Sequence, residues 1–401
     1  VFSTRYALAA KLNNTLQTCT FAYRFTMAGI YIHIPFCRQA CHYCDFHFST
    51  SRKIEPEMIA AMEKEMDLRK DYLGKAGIDT LYLGGGTPSI LEAPLLERIF
   101  NKLHALFSIE GFAEITLEAN PDDLTDEKLR LFRSLGINRL SIGIQTFDDR
   151  LLHYLNRVHN REQALISYER ARASGFSNIS IDLMYAIPGQ TPGGWLKDLE
   201  QTLALAPAHI SAYCLTIEER TAFGHWLKTK KLQPVPDEEA AEYLQVLMDT
   251  LTAHGYEHYE ISNFARPGYQ SRHNSSYWKQ VPYLGFGPGA HSYNGNSRQA
   301  NISNNYRYVQ AILAGEIPAQ VESLTREEKI NEYILTRLRT SWGVDTRQLK
   351  QDFNFDLIGK NTELLARLTA NGFVSITDGI IKLTTPGKLL ADKIAADLFD
   401  V

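Results

Sequence analysis

Six short β-rich runs alternate with charged amphipathic stretches, and this alternation limits the possible folds more than any other feature of the chain. The runs are Ile30–Ile34, Thr80–Leu83, Glu114–Leu117, Arg139–Ile144, Asn178–Leu183 and His209–Leu215. Stretches such as Glu55–Tyr72, Ala93–Phe107 and Asp126–Ser134 lie between them. Strands separated by helix-length segments pair in parallel, because the return crossing needs a dozen or more residues. Six units are too few for the usual closed eight-fold barrel. The expected fold is α/β, a partial (βα)6 TIM-like barrel.

In such a barrel the chemistry sits at the C-terminal ends of the strands. The unusual residues fall there. Gly84-Gly85-Gly86 follows the second run, Glu118 the third and Gln145 the fourth, while a cluster of cysteines follows the first. The expected organisation has four parts. Residues 1–26 lack Asp and Glu, precede Met27 and read as a little-structured extension from an upstream start. Residues 27–235 form the barrel, and residues 236–321 a connecting region with Gly/Asn/Ser/Tyr-rich loops. Residues 322–401 form a winged-helix-like α+β domain, signalled by Asp378-Gly379 between Val374–Thr377 and Ile380–Leu383. That last domain carries 11 basic and 12 acidic residues and the whole chain is at net -4, which argues against nucleic-acid binding. No run of 18 apolar residues occurs, so no spanning helix is expected and the chain reads as cytoplasmic. A dimer and a peripheral membrane contact stay open.

Cys37, Cys41 and Cys44 have the spacing C-x3-C-x2-C, and only Cys19 and Cys214 occur elsewhere. Such crowding is a metal or redox site in a reducing compartment rather than a disulfide framework. Three thiolates in one loop can hold three corners of a [4Fe–4S] cube and leave the fourth iron without a protein ligand. S-adenosylmethionine can chelate that iron through its amino and carboxylate groups. The competing reading is a Cys3His zinc site completed by His33, His42 or His47. Cys214, inside the sixth run, reads as a small buried hydrophobe.

The cysteine trio on a partial barrel resembles the radical S-adenosylmethionine superfamily. Tyr31-Ile-His-Ile-Pro-Phe-Cys37, Gly84-Gly-Gly-Thr-Pro88, Gly136-Ile-Asn-Arg139, Ser141-Ile-Gly-Ile-Gln145 and Asp182-Leu-Met-Tyr-Ala-Ile-Pro-Gly-Gln-Thr191 narrow the likeness. It is similar to the oxygen-independent coproporphyrinogen III oxidase-like group and, within it, to the heme-chaperone (HemW-like) branch. The resemblance implies a [4Fe–4S] cluster on the trio. It implies an S-adenosylmethionine pocket built from Tyr31, Gly85, Gly86, Thr87, Glu118, Gln145, Arg157 and Asp182.

The oxidase branch carries a further Cys two positions after the third cluster Cys, and here that position is Phe46. His273-Asn274-Ser-Ser-Tyr277-Trp278 matches the H-N-x-x-Y-W motif of the chaperone branch. By that resemblance His273 is a heme ligand with Asn274, Tyr277 and Trp278 nearby. Arg272 and Lys279 could meet the propionates. The residues taken alone favour a buried His with aromatic packing, and the heme-ligand role rests on the resemblance. The implied function is binding heme and delivering it to acceptor hemoproteins, respiratory ones among them. The alternative is oxidative decarboxylation of coproporphyrinogen III.

Overall fold

The computed structural model describes residues 27–400. The expected extension 1–26 lies outside the described residues. Strands β1 (Met27–Ile34), β2 (Gly77–Gly85), β3 (Ile109–Ala119), β4 (Arg139–Gln145), β5 (Asn178–Tyr185) and β6 (His209–Cys214) pair in parallel in sequence order. Beyond β6 lie β7 (Glu257–Glu260) and β8 (Asn263–Ala265), with β8 antiparallel to β6. Beyond β1 lie β9 (Tyr283–Phe286), β10 (His291–Tyr293), β11 (Ser297–Asn301) and β12 (Ala319–Ser323). The segment read as loops from 265 to 305 thus supplies three strands. The first of them, β9, runs parallel to β1.

Side chains alternate across each strand, and here the outer set carries the core. Ile30, Ile32, Ile34, Leu81, Leu83, Leu117, Leu140, Ile142, Ile144, Ile181, Leu183 and Ile210 pack with the surrounding helices in one cluster. Each such burial contributes about 1.5–3 kcal/mol. The inner set is polar: Tyr31, His33, Thr80, Tyr82, Glu114, Thr116, Glu118, Arg139, Ser141, Ser180, Asp182, His209, Ser211 and Tyr213. A closed barrel fills this space with branched aliphatics. This one lines it with polar side chains. Cys214 ends β6 and is exposed rather than buried, because the last residue of that strand projects beyond the sheet's cover.

A buried ionic network fastens the outer strands. Glu65, on the helix Glu55–Arg69, is 0% exposed and receives Arg69 Nη1 at 3.0 Å, Gly287 N at 2.9 Å, Asn301 Nδ2 at 2.8 Å and the Tyr308 hydroxyl. Arg69 also donates to the Gly285 carbonyl, Ser292 Oγ and Gln299 Oε1. One ion pair therefore links a barrel helix to β9, β10 and β11.

The C-terminal residues have their own core of Ile330, Ile334, Leu338, Leu349, Leu365, Ile381 and Ile394. Their sheet orders β13 (Val344–Asp345), β15 (Ile380–Leu383) and β14 (Val374–Thr377). Asp378 and Gly379 both have positive φ, 50° and 75°, as the expected two-residue hairpin requires. Among the described residues no helix is long and apolar enough to cross a membrane.

Candidate functional site

The loop after β1 carries the three cysteines, and β2 continues beside it. Gly86 N donates to the Ile34 carbonyl and Thr87 N to the Phe36 carbonyl, both at 2.8 Å. The contact is too close for a side chain. A Cβ on Gly86 would sit 2.6 Å from the Phe36 oxygen, and one on Gly85, at φ +101°, would strike the His33 ring. Thr87 Oγ1 donates to Cys37 Sγ at 3.4 Å and Arg157 Nη1 to Cys41 Sγ at 3.5 Å. Burial pushes the Cys37 thiol up to about 11 and the Cys44 thiol up to about 12, with Cys41 adding to both.

The donor set fits an iron–sulfur cube. Three soft thiols on one loop feel one another's charge, and two of the sulfurs receive hydrogen-bond donors of the kind that tune such clusters. Among the described residues no three His, Cys, Asp or Glu side chains converge on a single ion. A cube asks only for one thiolate per iron at separate corners. The candidate zinc histidines are engaged elsewhere. His33 bonds the Tyr31 hydroxyl and the His47 carbonyl, His42 the Tyr154 carbonyl, and His47 the Asn305 side chain.

Around this loop the structure gathers most of the expected nucleotide residues. Glu118 accepts from the Tyr82 hydroxyl at 2.6 Å and from Gly85 N at 3.2 Å. Arg157 Nη2 donates to Asn120 Oδ1 at 2.6 Å and to the Gly143 carbonyl at 2.7 Å. Gln145 ends β4 in the left-handed region, φ 72°, at a register shift in the β4–β5 pairing. Strain of this kind, held by its surroundings, gathers at functional sites. Asp182 accepts from Ser141 Oγ at 3.0 Å and Ser180 Oγ at 3.1 Å. Burial raises its pKa, and the serines together with Arg139 hold it down.

Tyr31 completes the wall by stacking on Tyr82, centroids 6.1 Å apart. Tyr82 and Asn120 were missed in the sequence. Their signal is register alone, since Tyr82 precedes Gly84 by two on the same face.

Burial pushes the Glu118 carboxyl up to about 7, with Asp182 adding to the shift and Tyr82 and Gly85 resisting it. The unfolded carboxyl releases its proton near 4.5. Between those values the folded chain holds a proton that the unfolded chain has lost, so stability falls as pH rises through the window. Glu118→Gln is expected to flatten this part of the profile in urea melts taken across it. An unchanged slope would show that Glu118 does not titrate there.

His273 lies apart from the rim, at the opposite end of the barrel. The helix Arg272–Trp278 closes that end, its N-terminus held by Glu114, which accepts from Arg272 N at 3.0 Å and His273 N at 3.1 Å. The His273 ring is 1% exposed, with Nδ1 at 2.8 Å from Thr80 Oγ1 and Nε2 at 2.8 Å from the Tyr277 hydroxyl. It stacks on Tyr82 at 5.0 Å, and burial pushes its pKa down to about 3. Tyr82 therefore touches both the Glu118 pocket and the His273 ring.

Asn274 is half-buried in the same helix. Trp278 and Lys279 face the C-terminal domain, through Arg339 over Trp278 at 5.8 Å and Lys279 over Trp342 at 4.6 Å. Arg272 pairs with Asp79. Neither of the flanking cations suggested for propionates is directed to the imidazole, because each already has a partner of its own.

A family model described as the radical SAM superfamily matches residues 31–203, and one described as the HemN C-terminal domain matches residues 324–390. A heme chaperone HemW from Bacillus subtilis is 38% identical over 376 residues, covering 92% of this chain and 98% of that one. The protein of the same name from Mycobacterium tuberculosis H37Rv is 30% identical over 92% of this chain and 94% of its own. That from Escherichia coli is 36% identical over 66% and 69%. Among solved structures, coproporphyrinogen III oxidase (HemN) from Escherichia coli aligns with a TM-score of 0.82 over 94% of this chain and 90% of that one. At 24% identity it shows the shared fold. The radical SAM superfamily implies a [4Fe–4S] cluster and S-adenosylmethionine, the pair that the thiols and the surrounding pocket fit. With identity of this order sustained along nearly its whole length, the chain belongs to the heme chaperone HemW family within that superfamily.

Proposed function

We propose that this chain binds heme and passes it to acceptor hemoproteins, respiratory ones among them, with a [4Fe–4S] cluster on Cys37, Cys41 and Cys44 and S-adenosylmethionine beside it. The likeness to relatives named heme chaperones, 38% identical across 92% of the chain in one case, carries the reading. A second observation supports it. The position of the oxidase branch's additional Cys is Phe46, 72% exposed, so the loop offers no fourth thiol there. When bound, the cluster supplies an electron to the sulfonium nucleotide. Thr87 and Arg157 hold two of the thiols, and Glu118 and Asp182 offer acceptors to hydroxyl or ammonium groups.

His273 is the ligand assigned to heme iron in this reading. Both its ring nitrogens are engaged in the closed structure, so ligation requires the closing helix to shift and release Nε2 from Tyr277. Heme titration should therefore perturb Trp278 fluorescence along with the heme absorption band. His273→Ala is expected to weaken heme binding at least tenfold. Full heme affinity in that variant would remove the assignment. Anaerobic turnover of coproporphyrinogen III to at least stoichiometric protoporphyrinogen would instead favour the oxidase reading.

A further inference from the structure

We propose that Arg139 is an anchor for a carboxylate at the floor of the barrel lumen, and that the carboxylate is a propionate of the bound tetrapyrrole. The second half rests on the heme-binding reading. Arg139 opens β4, points inward and is 1% exposed. Its Nε is buried without a hydrogen-bond partner. Its register partners on the neighbouring strands are Thr116 and Asn178. Thr116 Oγ1 and Asn178 Oδ1 are also buried and unpaired. Three adjacent inward positions in one row thus each present an unsatisfied polar atom. Glu118 and Asp182 feel the charge of this guanidinium without pairing with it directly, and its planar fork suits a carboxylate.

The carboxylates around it are already engaged. Glu114 is held by the closing helix, Glu118 by Tyr82 and Gly85, and Asp182 by Ser141 and Ser180. Inward tyrosines further along the strands keep solvent-accessible surface. Tyr31, Tyr82 and Tyr277 are half-buried, and Tyr213 on the facing strand is 43% exposed. Flat aromatic walls over a cationic floor suit a macrocycle with acidic arms. Arg272 and Lys279 already contact Asp79 and Trp342, while Arg139 points inward from β4.

The test titrates heme and heme dimethyl ester, whose propionates are masked, into wild type, Arg139→Gln and Arg139→Lys. Wild type should bind the ester about tenfold or more weaker than heme, the scale of one charge-assisted bond. Arg139→Gln should lose a similar factor for heme and nothing further for the ester. Arg139→Lys, which keeps charge without the fork, should fall between and serves alone if the Gln variant does not fold by circular dichroism. Wild-type behaviour of the variants toward both ligands, or equal binding of heme and ester by wild type, would overturn the proposal. If wild type binds no heme, the chaperone reading fails separately. The anchor is then judged on sodium propionate, which must raise the thermal midpoint of wild type and not that of Arg139→Gln, or the site is withdrawn.

Discussion

A chain carrying Cys37→Ser, Cys41→Ser and Cys44→Ser together is expected to leave anaerobic reconstitution with iron and sulfide without the brown charge-transfer absorption that the wild type acquires. The loss should be complete rather than graded, because Ser oxygen is a poor substitute for the soft thiolates an iron–sulfur cube requires. The barrel should survive. All three positions lie on a half-exposed loop, outside the aliphatic cluster that holds the strands, so the thermal midpoint should move little. A cluster spectrum in the triple variant would refute the ligand set. Heme titration of the same variant asks whether the closing-helix end, remote from the loop, works without the cluster. The geometry leads us to expect that it binds heme, with its affinity altered only through Tyr82 and Glu118.

Glu65→Ala should be among the most damaging single changes outside the site. It would leave Arg69, 6% exposed, as a buried charge without its carboxylate, and would strip acceptors from Gly287, Asn301 and Tyr308. Breaking one half of a buried pair in this way costs about 3–5 kcal/mol. Replacing both partners with apolar residues of similar volume, Glu65→Met with Arg69→Met, should recover part of that cost, since neither charge is then left alone. Urea melts of the single and double variants measure the difference. A single variant within about 1 kcal/mol of wild type, the range of an exposed pair, would show the network to be dispensable.

The six parallel strands were legible because each is a run of aliphatics bounded by polar segments, and the terminal hairpin because Asp378-Gly379 has few other uses. The strands between residues 265 and 323 were not. β9, β10 and β11 are 3–5 residues long and owe their conformation to β1 and to each other, pairings that local pattern does not contain. The cysteine trio and the glycine run announce themselves by composition. Tyr82 and Asn120 are ordinary residues made special by register. His273 shows the same limit from the other side, for its motif is visible in one dimension while its place at the barrel's far end is set by Glu114, Thr80 and the domain that follows.

The aliphatic faces of the strands turn toward the helices, so the fold is carried by its shell. What lies inside contributes little to holding the architecture and is correspondingly free to be rewritten. A lineage built on this frame can change cargo or chemistry by exchanging a handful of inward residues, one per strand, while the outer seams stay as they are.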